Sequence, residues 1–337
     1  AFTFTRWLVA WWIRVQRPKN IPHGLFRLVP DVTTIPFMGL RNLAFAFSII
    51  TSVIAVGLFA AVDMNYGIDF RGGSIIEVQA KGDKADVGNI RDRLGELTLG
   101  DVQVQQFGND KDVLIRVESQ ELGDGAEQTI VDKVRDELSE DYNFRRVEVV
   151  GATVSTELAR NGIIGVAVAM LAILAYVWFR FEWQFGLGAI IATGHDIVLT
   201  IGLFVISGME FNLTSIAAIL TIMGYSLNDT VVVYDRVREN LRKYKKMPIV
   251  ELLDLSMNQT LSRTVLTGLT SLMALGALWL FGGEVIRSFV FAMLFGIIVG
   301  TYSSIFIAGP LLILFKLRPG GGLSDEADKT LPAGKTA

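Results

Sequence analysis

The stretch LTIMGYSLNDTVVVYDR (220–236) places Asn228 and Asp229 inside a long apolar run. If that run ended at Leu227, the segment would be about 22 Å long as a helix, short of a ~30 Å hydrocarbon core. Extending it to residue 234 gives about 33 Å. We therefore predict a membrane span over 213–234, with Asp229 roughly 7–8 Å inside its edge. A carboxyl group at that depth is costly, which indicates a function.

The whole chain has the composition of a membrane protein. Of its 337 residues, 51% are hydrophobic and 19% are charged, and the mean hydropathy is +0.45. Soluble domains are about 25% charged. Five more apolar runs are long enough to span a bilayer, at about 42–62, 161–180, 185–206, 262–282 and 289–315. We therefore predict an α-helical membrane protein with a six-helix bundle, one helix at 42–62 and five within 161–317.

Basic residues indicate the orientation of the spans. Lys and Arg are concentrated before the first span, within 235–261 and after the last span, which fall on one side of a six-span arrangement. Because basic loops stay in the cytoplasm, we expect both termini there and residues 63–160 outside. The basic stretch DRVRENLRKYKK (235–246) is typical of a helix at the membrane surface.

The polar segment 63–160 has its own pattern. It predicts strands at 74–79, 102–107, 112–117 and 144–150, and helices at 85–97 and 125–142. The order β-α-β-β-α-β is that of the ferredoxin-like split βαβ unit. We therefore predict one ferredoxin-like α+β domain outside the membrane, a fold that says little about function by itself.

The two ends of the chain lie outside the predicted spans. We expect residues 1–41 to form a cytoplasmic or interfacial segment, and the tail 318–337, which has few apolar residues, to be disordered. The tail contains GKT (334–336), but position 329 is Lys where a phosphate-binding loop needs Gly. We therefore predict that any work done by this chain draws on an energy source other than nucleotide bound here.

The composition also excludes several classes of site. The chain has no cysteine, so it has no thiolate metal site or cysteine nucleophile. His23 and His195 are its two histidines, too few for a histidine-built metal cluster. The net charge of −3 gives no basic footprint for nucleic acid. We expect no cofactor, no metal and no nucleic-acid partner.

Arg263 begins the fifth predicted span, near the expected depth of Asp229. Consecutive spans run antiparallel, so the two side chains can approach each other. One alternative is that Arg263 only extends to the lipid headgroups. We favour a facing or switchable pair, because Asp229 lies on the preceding span. An arginine near a carboxyl group favours its ionised form, so movement of Arg263 would switch Asp229 between binding and releasing a proton.

Asp196 lies about 10 residues from either end of the third span, and therefore near the midplane. A satisfied polar contact between helices is one interpretation and a functional carboxyl group is the other. His195 precedes it directly. We predict a proton pathway formed by Asp196, His195, Asn228, Asp229 and Arg263. In the sixth span, GIIVG (296–300) with Ser303 and Ser304 is typical of a close-packing face.

The sequence resembles the SecD/SecF family along nearly its whole length, from about residue 26 to 317, and specifically the SecF half. The motifs that carry the resemblance are YGIDFRGG (66–73), VSTELARNGI (154–163), FRFEW (179–183), HD (195–196), GYSLNDTVVVYDRVREN (224–240), NQTLSRTVLTGLTSL (258–272) and FGGEVIRSF (281–289) followed by GIIVGTYSSIFIAGPLL (296–312). The transmembrane Asp of the family maps to Asp229, and its Arg maps to Arg263.

The resemblance implies half of a transporter of the resistance-nodulation-division type. It also implies a bacterial inner-membrane location and a component that uses proton flow to assist protein export, rather than an enzyme. The implied partners are SecD or a fused SecD half, the SecYEG translocon, YajC, YidC, the translocating preprotein and the lipid membrane. Two other functions remain open from the residues alone, a passive scaffold for translocase assembly and a subunit of a small-molecule exporter.

The first residues suggest a longer polypeptide. The stretch 1–22 looks like the closing span and basic exit of a SecD half, and it parallels the end of this chain at 304–319. We expect the chain to be the SecF part of a fused polypeptide. The alternative is an interfacial helix anchored by Trp7, Trp11, Trp12 and Val15.

Overall fold

The computed structural model describes residues 2–16, 30, 33–97, 99–106, 108–118, 126–283 and 286–317. The predicted tail at 318–337 lies outside these residues. The described residues contain eleven α-helices and one 3₁₀ turn. They are α1 (Phe2–Gln16), the 3₁₀ turn (Phe37–Leu40), α2 (Arg41–Ala61), α3 (Ile68–Arg71), α4 (Val87–Glu96), α5 (Ala126–Leu138), α6 (Ala152–Arg180), α7 (Trp183–Ser207), α8 (Leu213–Lys243), α9 (Ile249–Phe281), α10 (Arg287–Ser303) and α11 (Gly309–Leu314). A π-helical segment, Ser304–Ala308, joins the last two.

Six of the helices in the described part are long and apolar enough to cross a membrane, which confirms the predicted six-helix bundle. They are Phe37–Ala61, Ala152–Arg180, Trp183–Ser207, Leu213–Lys243, Ile249–Phe281 and Arg287–Leu314. The most apolar windows of α7, α8 and the α10–α11 span are 44%, 39% and 61% buried, against 6–17% for the other three. These three helices therefore form the centre of the bundle, with α2, α6 and α9 around them.

Several helices extend further than the apolar runs. Helix α8 continues to Lys243 and α9 begins at Ile249, so Arg263 lies well inside a continuous helix rather than in its first turn. Helix α6 begins at Ala152 and includes residues that the sequence pattern placed with the outer domain. The amphipathic residues beyond the apolar runs keep helical spacing, which hydropathy alone does not detect.

The outer domain contains a four-stranded antiparallel sheet. Its strands are β1 (Gly73–Ala80), β2 (Val102–Gln106), β3 (Asp112–Glu118) and β4 (Tyr142–Val150), in the order β2-β3-β1-β4. Helices α4 and α5 bury Ile90, Leu94, Val131 and Val134 against the sheet. This order and the β-α-β-β-α-β sequence of elements confirm the predicted ferredoxin-like fold.

Helix α1 has 15 residues and is about 22 Å long, short of a ~30 Å hydrocarbon core. Trp7 and Trp11 on this helix are exposed. The sequence leaves open a truncated span or an interfacial helix, and both alternatives fit this length.

Side chains of the outer domain hold the turn between α7 and α8. Arg116 on β3 makes an ion pair with Glu210 in that turn, and it also donates to Asn65 Oδ1 at 3.1 Å. Asp69 Oδ2 accepts a hydrogen bond from the backbone N–H of Leu213, the first residue of α8, at 2.9 Å. The sheet is therefore joined directly to one end of α8.

Glycine permits close packing between α2 and α7. A Cβ atom added to Gly202 of α7 would lie 2.6 Å from the Cβ and 3.1 Å from the Cα of Ala55 on α2. Real carbon atoms do not approach so closely. The peripheral span α2 therefore packs on the bundle centre through a glycine–alanine contact.

We expect Gly202→Ala to lower the free energy of unfolding by about 1–3 kcal/mol, because the added methyl group forces α2 and α7 apart. The measurement is the thermal unfolding midpoint in detergent. Gly57→Ala on α2 is the matched control, since a Cβ at Gly57 meets nothing within 4 Å. Equal midpoints for the two variants would contradict the close contact.

Burial raises the pKa of Glu210, opposed by the positive charge of Arg116. A carboxyl group with a raised pKa in the folded state favours folding below its unfolded pKa, and this contribution is lost as the pH rises through the folded pKa. Arg116→Ala leaves the Glu210 charge without its partner and is expected to destabilise the protein by about 1–3 kcal/mol at neutral pH.

The test compares unfolding midpoints of the wild type, Arg116→Ala, and the double variant Arg116→Ala/Glu210→Gln at pH 4 and pH 8. The deficit of the single variant should be larger at pH 8, where the carboxyl group is ionised. The double variant should recover most of the loss, because no unpaired charge remains. A deficit that is independent of pH would count against this account of the ion pair.

Candidate functional site

Two carboxyl groups lie inside the helix bundle on neighbouring helices. Asp196 on α7 is 0% exposed and Asp229 on α8 is 9% exposed. Charged side chains within spanning segments are rare, face the bundle interior and mark ion pathways. These two residues are therefore the centre of the candidate site.

Asp196 is held by hydroxyl groups from two other helices. Its Oδ2 accepts hydrogen bonds from Ser226 Oγ of α8 at 2.5 Å and from Ser303 Oγ of α10 at 2.7 Å. Its Oδ1 lies 3.0 Å from Nδ1 of His195. One carboxyl group thus connects α7, α8 and α10, the three central helices.

Asp229 has the same kind of surroundings. Its Oδ1 accepts a hydrogen bond from Thr264 Oγ1 of α9, and its Oδ2 accepts one from Ser304 Oγ, both at 2.8 Å. The side chain of Asp229 is therefore held between α9 and the π-helical segment.

The consecutive serines Ser303 and Ser304 serve different carboxyl groups. Successive helical residues point about 100° apart, so one helix can donate to Asp196 through Ser303 and to Asp229 through Ser304. The π-helical turn begins at Ser304. Such single turns of π-helix are found frequently at functional sites.

The sixth span is therefore more than a packing face. The glycines do pack closely, since a Cβ at Gly300 would lie 3.1 Å from Cβ of Ser226. Ser303 and Ser304, which the sequence pattern assigned to that packing face, also donate hydrogen bonds to the buried carboxyl groups of Asp196 and Asp229. Small residues at 296 and 300 let the backbone approach closely enough for these bonds.

The predicted contact between Asp229 and Arg263 is not made in this structure. Arg263 is exposed, and among the described residues no ion pair joins it to Asp229. The neighbouring residue Thr264 contacts the carboxylate instead. Adjacent residues on a helix differ in direction by about 100°, so the depth of Arg263 does not determine which way it faces.

The other predicted residues divide between the interior and the surface. His195 is inside, with a side chain 8% exposed, and its Nε2 is buried without a hydrogen-bond partner in the structure. Asn228 is exposed, as are Thr267 and Thr270 on the same side of α9 as Arg263. Polar side chains thus lie on an outward face of α8 and α9 as well as in the bundle.

The sequence pattern identified the two aspartates but not the four hydroxyl groups that donate hydrogen bonds to them. These are Ser226, Thr264, Ser303 and Ser304. A signal was present, since each is a hydroxyl residue within a predicted apolar span or its first turn. What was missing was the rotation of each helix, which decides whether a hydroxyl faces a carboxyl group.

Serine and threonine hydroxyl groups can either donate or accept a hydrogen bond. They can therefore satisfy a carboxylate and, after rotation, a protonated carboxyl group. In the part of the chain that the structure describes, no group of three or more His, Cys, Asp or Glu could hold a metal ion.

Comparisons with known proteins support a single family. The family described as protein export membrane protein SecD/SecF, C-terminal, matches residues 130–318, and the SecD/SecF GG motif matches residues 64–84. The chain is 51% identical over 317 residues to the protein translocase subunit SecDF of Brucella abortus biovar 1 (strain 9-941), covering 94% of this chain and 42% of that protein.

A second relative is almost the same length as the matched region. The chain is 46% identical over 295 residues to the protein translocase subunit SecF of Rickettsia akari (strain Hartford), covering 87% of this chain and 95% of that protein. The crystal structure of SecDF from Thermus thermophilus, a translocon-associated membrane protein, is similar with a TM-score of 0.78 and 35% identity, over 90% of this chain and 41% of that one. The chain belongs to the SecD/SecF family of protein-export membrane proteins.

Proposed function

We propose that this chain is an auxiliary subunit of the Sec protein translocase, and that proton flow through its bundle drives movements of the outer domain that complete protein export. Its relatives are named protein translocase subunits. The chain spans 42% of the length of the Brucella SecDF and 95% of the Rickettsia SecF, so its partner would be SecD or a fused SecD half. The SecYEG translocon, YajC, YidC and the preprotein are the other proposed partners.

The observation that carries this proposal is the pair of buried aspartates bound by hydroxyl groups. A structural ion pair would bind Asp229 to a permanent cation and oppose protonation. Here the hydroxyl groups of Thr264 and Ser304 can hydrogen-bond to Asp229 whether its carboxyl group is ionised or protonated. One charge crossing 100 mV yields about 2.3 kcal/mol, enough to bias a conformational equilibrium.

Arg263 would act in a second conformation. Its guanidinium lies on the exposed side of α9, one residue before Thr264, which binds Asp229. A rotation of α9 would exchange the two side chains, so that Arg263 approaches the ionised carboxylate and moves away when Asp229 is protonated. The proton would reach this point through Asp196 and His195, with Asn228 at the outward edge.

Helix α8 would transmit the change to the outer domain. Asp229 lies near its middle, and its first residue, Leu213, donates to Asp69 just before β1. The Arg116–Glu210 ion pair holds the turn that precedes α8. A shift of α8 would therefore displace the outer domain without a separate linker.

We propose a bacterial inner-membrane location with both termini in the cytoplasm. Residues 42–62 and 161–317 would form the membrane part and residues 63–160 the periplasmic domain, since basic residues lie at the opposite ends of the spans. The outer domain would then meet preprotein as it emerges.

We expect Asp229→Asn to abolish proton flux in proteoliposomes that contain the complete SecD–SecF assembly. It should also remove the part of export that depends on the proton gradient, because an amide does not titrate. The matched control is Thr221→Val on the same helix, an exposed position outside the proposed pathway whose hydroxyl donates to the backbone carbonyl of Ala217. It should retain at least about half of the activity, since surface substitutions have small effects. Flux and export are measured on the same preparations.

Three outcomes would reject the proposal. Normal export with Asp229→Asn in a correctly assembled complex would favour a scaffold. Flux that depends on the sodium gradient rather than on the pH gradient would show that sodium, not the proton, is the coupling ion. Loss of small-molecule efflux with intact export would favour an exporter.

A second test removes one hydroxyl group from the site. Ser304→Ala should lower proton flux about tenfold, because a hydrogen bond to a charged group contributes roughly 1.5–3 kcal/mol. Ser304→Thr keeps a hydroxyl group and should retain most of the flux. If Ser304 only fills space, Ser304→Ala will not show a lower proton flux than Ser304→Thr, and the hydrogen-bonding role is rejected.

A further inference from the structure

We propose that the cleft between the end of α6 and the last turns of α8 binds the phosphate headgroup of an anionic phospholipid. The cleft has a volume of about 460 Å³. All its lining residues are ionisable, four cations and two acids, namely Arg180, Arg238, Arg242, Lys243, Asp235 and Glu239. Its α8 residues lie about 9–21 Å along the helix axis from Asp229, and none of them belongs to the proposed proton pathway.

The two acids of the cleft already have partners. Asp235 Oδ1 is 3.2 Å from the guanidinium of Arg180, and Glu239 Oε2 is 2.6 Å from that of Arg236. Each carboxylate is therefore neutralised by a neighbouring arginine.

The remaining cations have no carboxylate partner within the described part of the chain. Arg238 donates to the backbone carbonyl of Arg180 at 3.3 Å, and its guanidinium carbon lies 6.0 Å from the ring centroid of Phe181. Arg242 and Lys243 are exposed. Positions 238 and 242 are one helical turn apart and share a face of α8, and Lys243 lines the same cleft.

The cleft adjoins an exposed apolar surface. Helix α6 has the least buried window of the six spans, at 6%. It ends in Trp178 and Phe179, which are 64% and 94% exposed, and Trp183 follows at 52%. Tryptophan is enriched where a membrane protein meets the headgroup region. The aromatic residues would contact acyl chains while the basic side chains contact the phosphate above them.

This combination favours a lipid over a soluble anion. A free phosphate would use only the cations, whereas a phospholipid also uses the exposed aromatic surface next to them. Basic pockets between spanning helices on the cytoplasmic side bind anionic headgroups, and each Lys or Arg near a membrane surface adds to the attraction.

The test uses the double variant Arg242→Gln/Lys243→Gln in the complete assembly. Its matched control is Lys245→Gln/Lys246→Gln, which removes the same charge from the next residues but outside the cleft. Binding is measured by titrating phosphatidylglycerol into protein in phosphatidylcholine nanodiscs and counting retained lipid by native mass spectrometry. All four positions are exposed, so folding should be unaffected.

We expect the cleft variant to weaken phosphatidylglycerol binding about tenfold, and the control variant less than about twofold. Retention of phosphatidylcholine should not change. Equal losses in both variants would show nonspecific attraction to the basic surface and overturn the proposal. Displacement of the lipid by millimolar inorganic phosphate would overturn it in favour of a soluble-anion site.

Discussion

The buried carboxylate of Asp196 is the constraint on which the bundle depends. With no access to solvent, it requires hydrogen-bond donors from within the protein, and it takes them from α8 and α10. An unsatisfied carboxylate in an apolar interior would be far more costly than the loss of any single packing contact. The helices must therefore approach closely, and Gly300, which packs on Ser226, provides the space. Close packing of the central helices is therefore what allows the hydrogen bonds to Asp196 to form.

Helix α8 connects this chemistry to the outer domain. It carries Ser226 and Asp229 in its middle and begins at Leu213, whose backbone N–H is bound by Asp69. The turn before it is held by Arg116 of the sheet. A rearrangement at Asp229 that moves α8 along its axis must also act on these two contacts. The short distance in sequence between site and junction makes a rigid helix the simplest transmitter.

Much of the architecture could be predicted from the sequence because hydropathy and strand–helix alternation are one-dimensional signals. Span length predicted that the apolar helix continues past Asp229, and α8 does continue to Lys243. Rotation about a helix axis is not such a signal, which is why Arg263 was expected where Thr264 lies. The π-helical turn at Ser304 was also missed, although Pro310 follows it. Proline cannot donate a backbone hydrogen bond and crowds the carbonyl four residues earlier, so a widened turn just before it is a reasonable consequence.

Two exposed polar residues on α8 and α9 indicate which face of the bundle a partner would cover. Asn228 and Arg263 are exposed within the spanning helices α8 and α9, and an arginine that faces lipid within a span is unfavourable. If a SecD half covers this face, as the proposed function requires, Arg263 is enclosed in a polar seam beside Asp229 rather than in lipid. Its distance from the carboxylate would then depend on how the two halves fit together. An ionised Asp229 would draw the arginine in and tighten the fit, and a protonated Asp229 would release it, so that each proton changes the contact between halves.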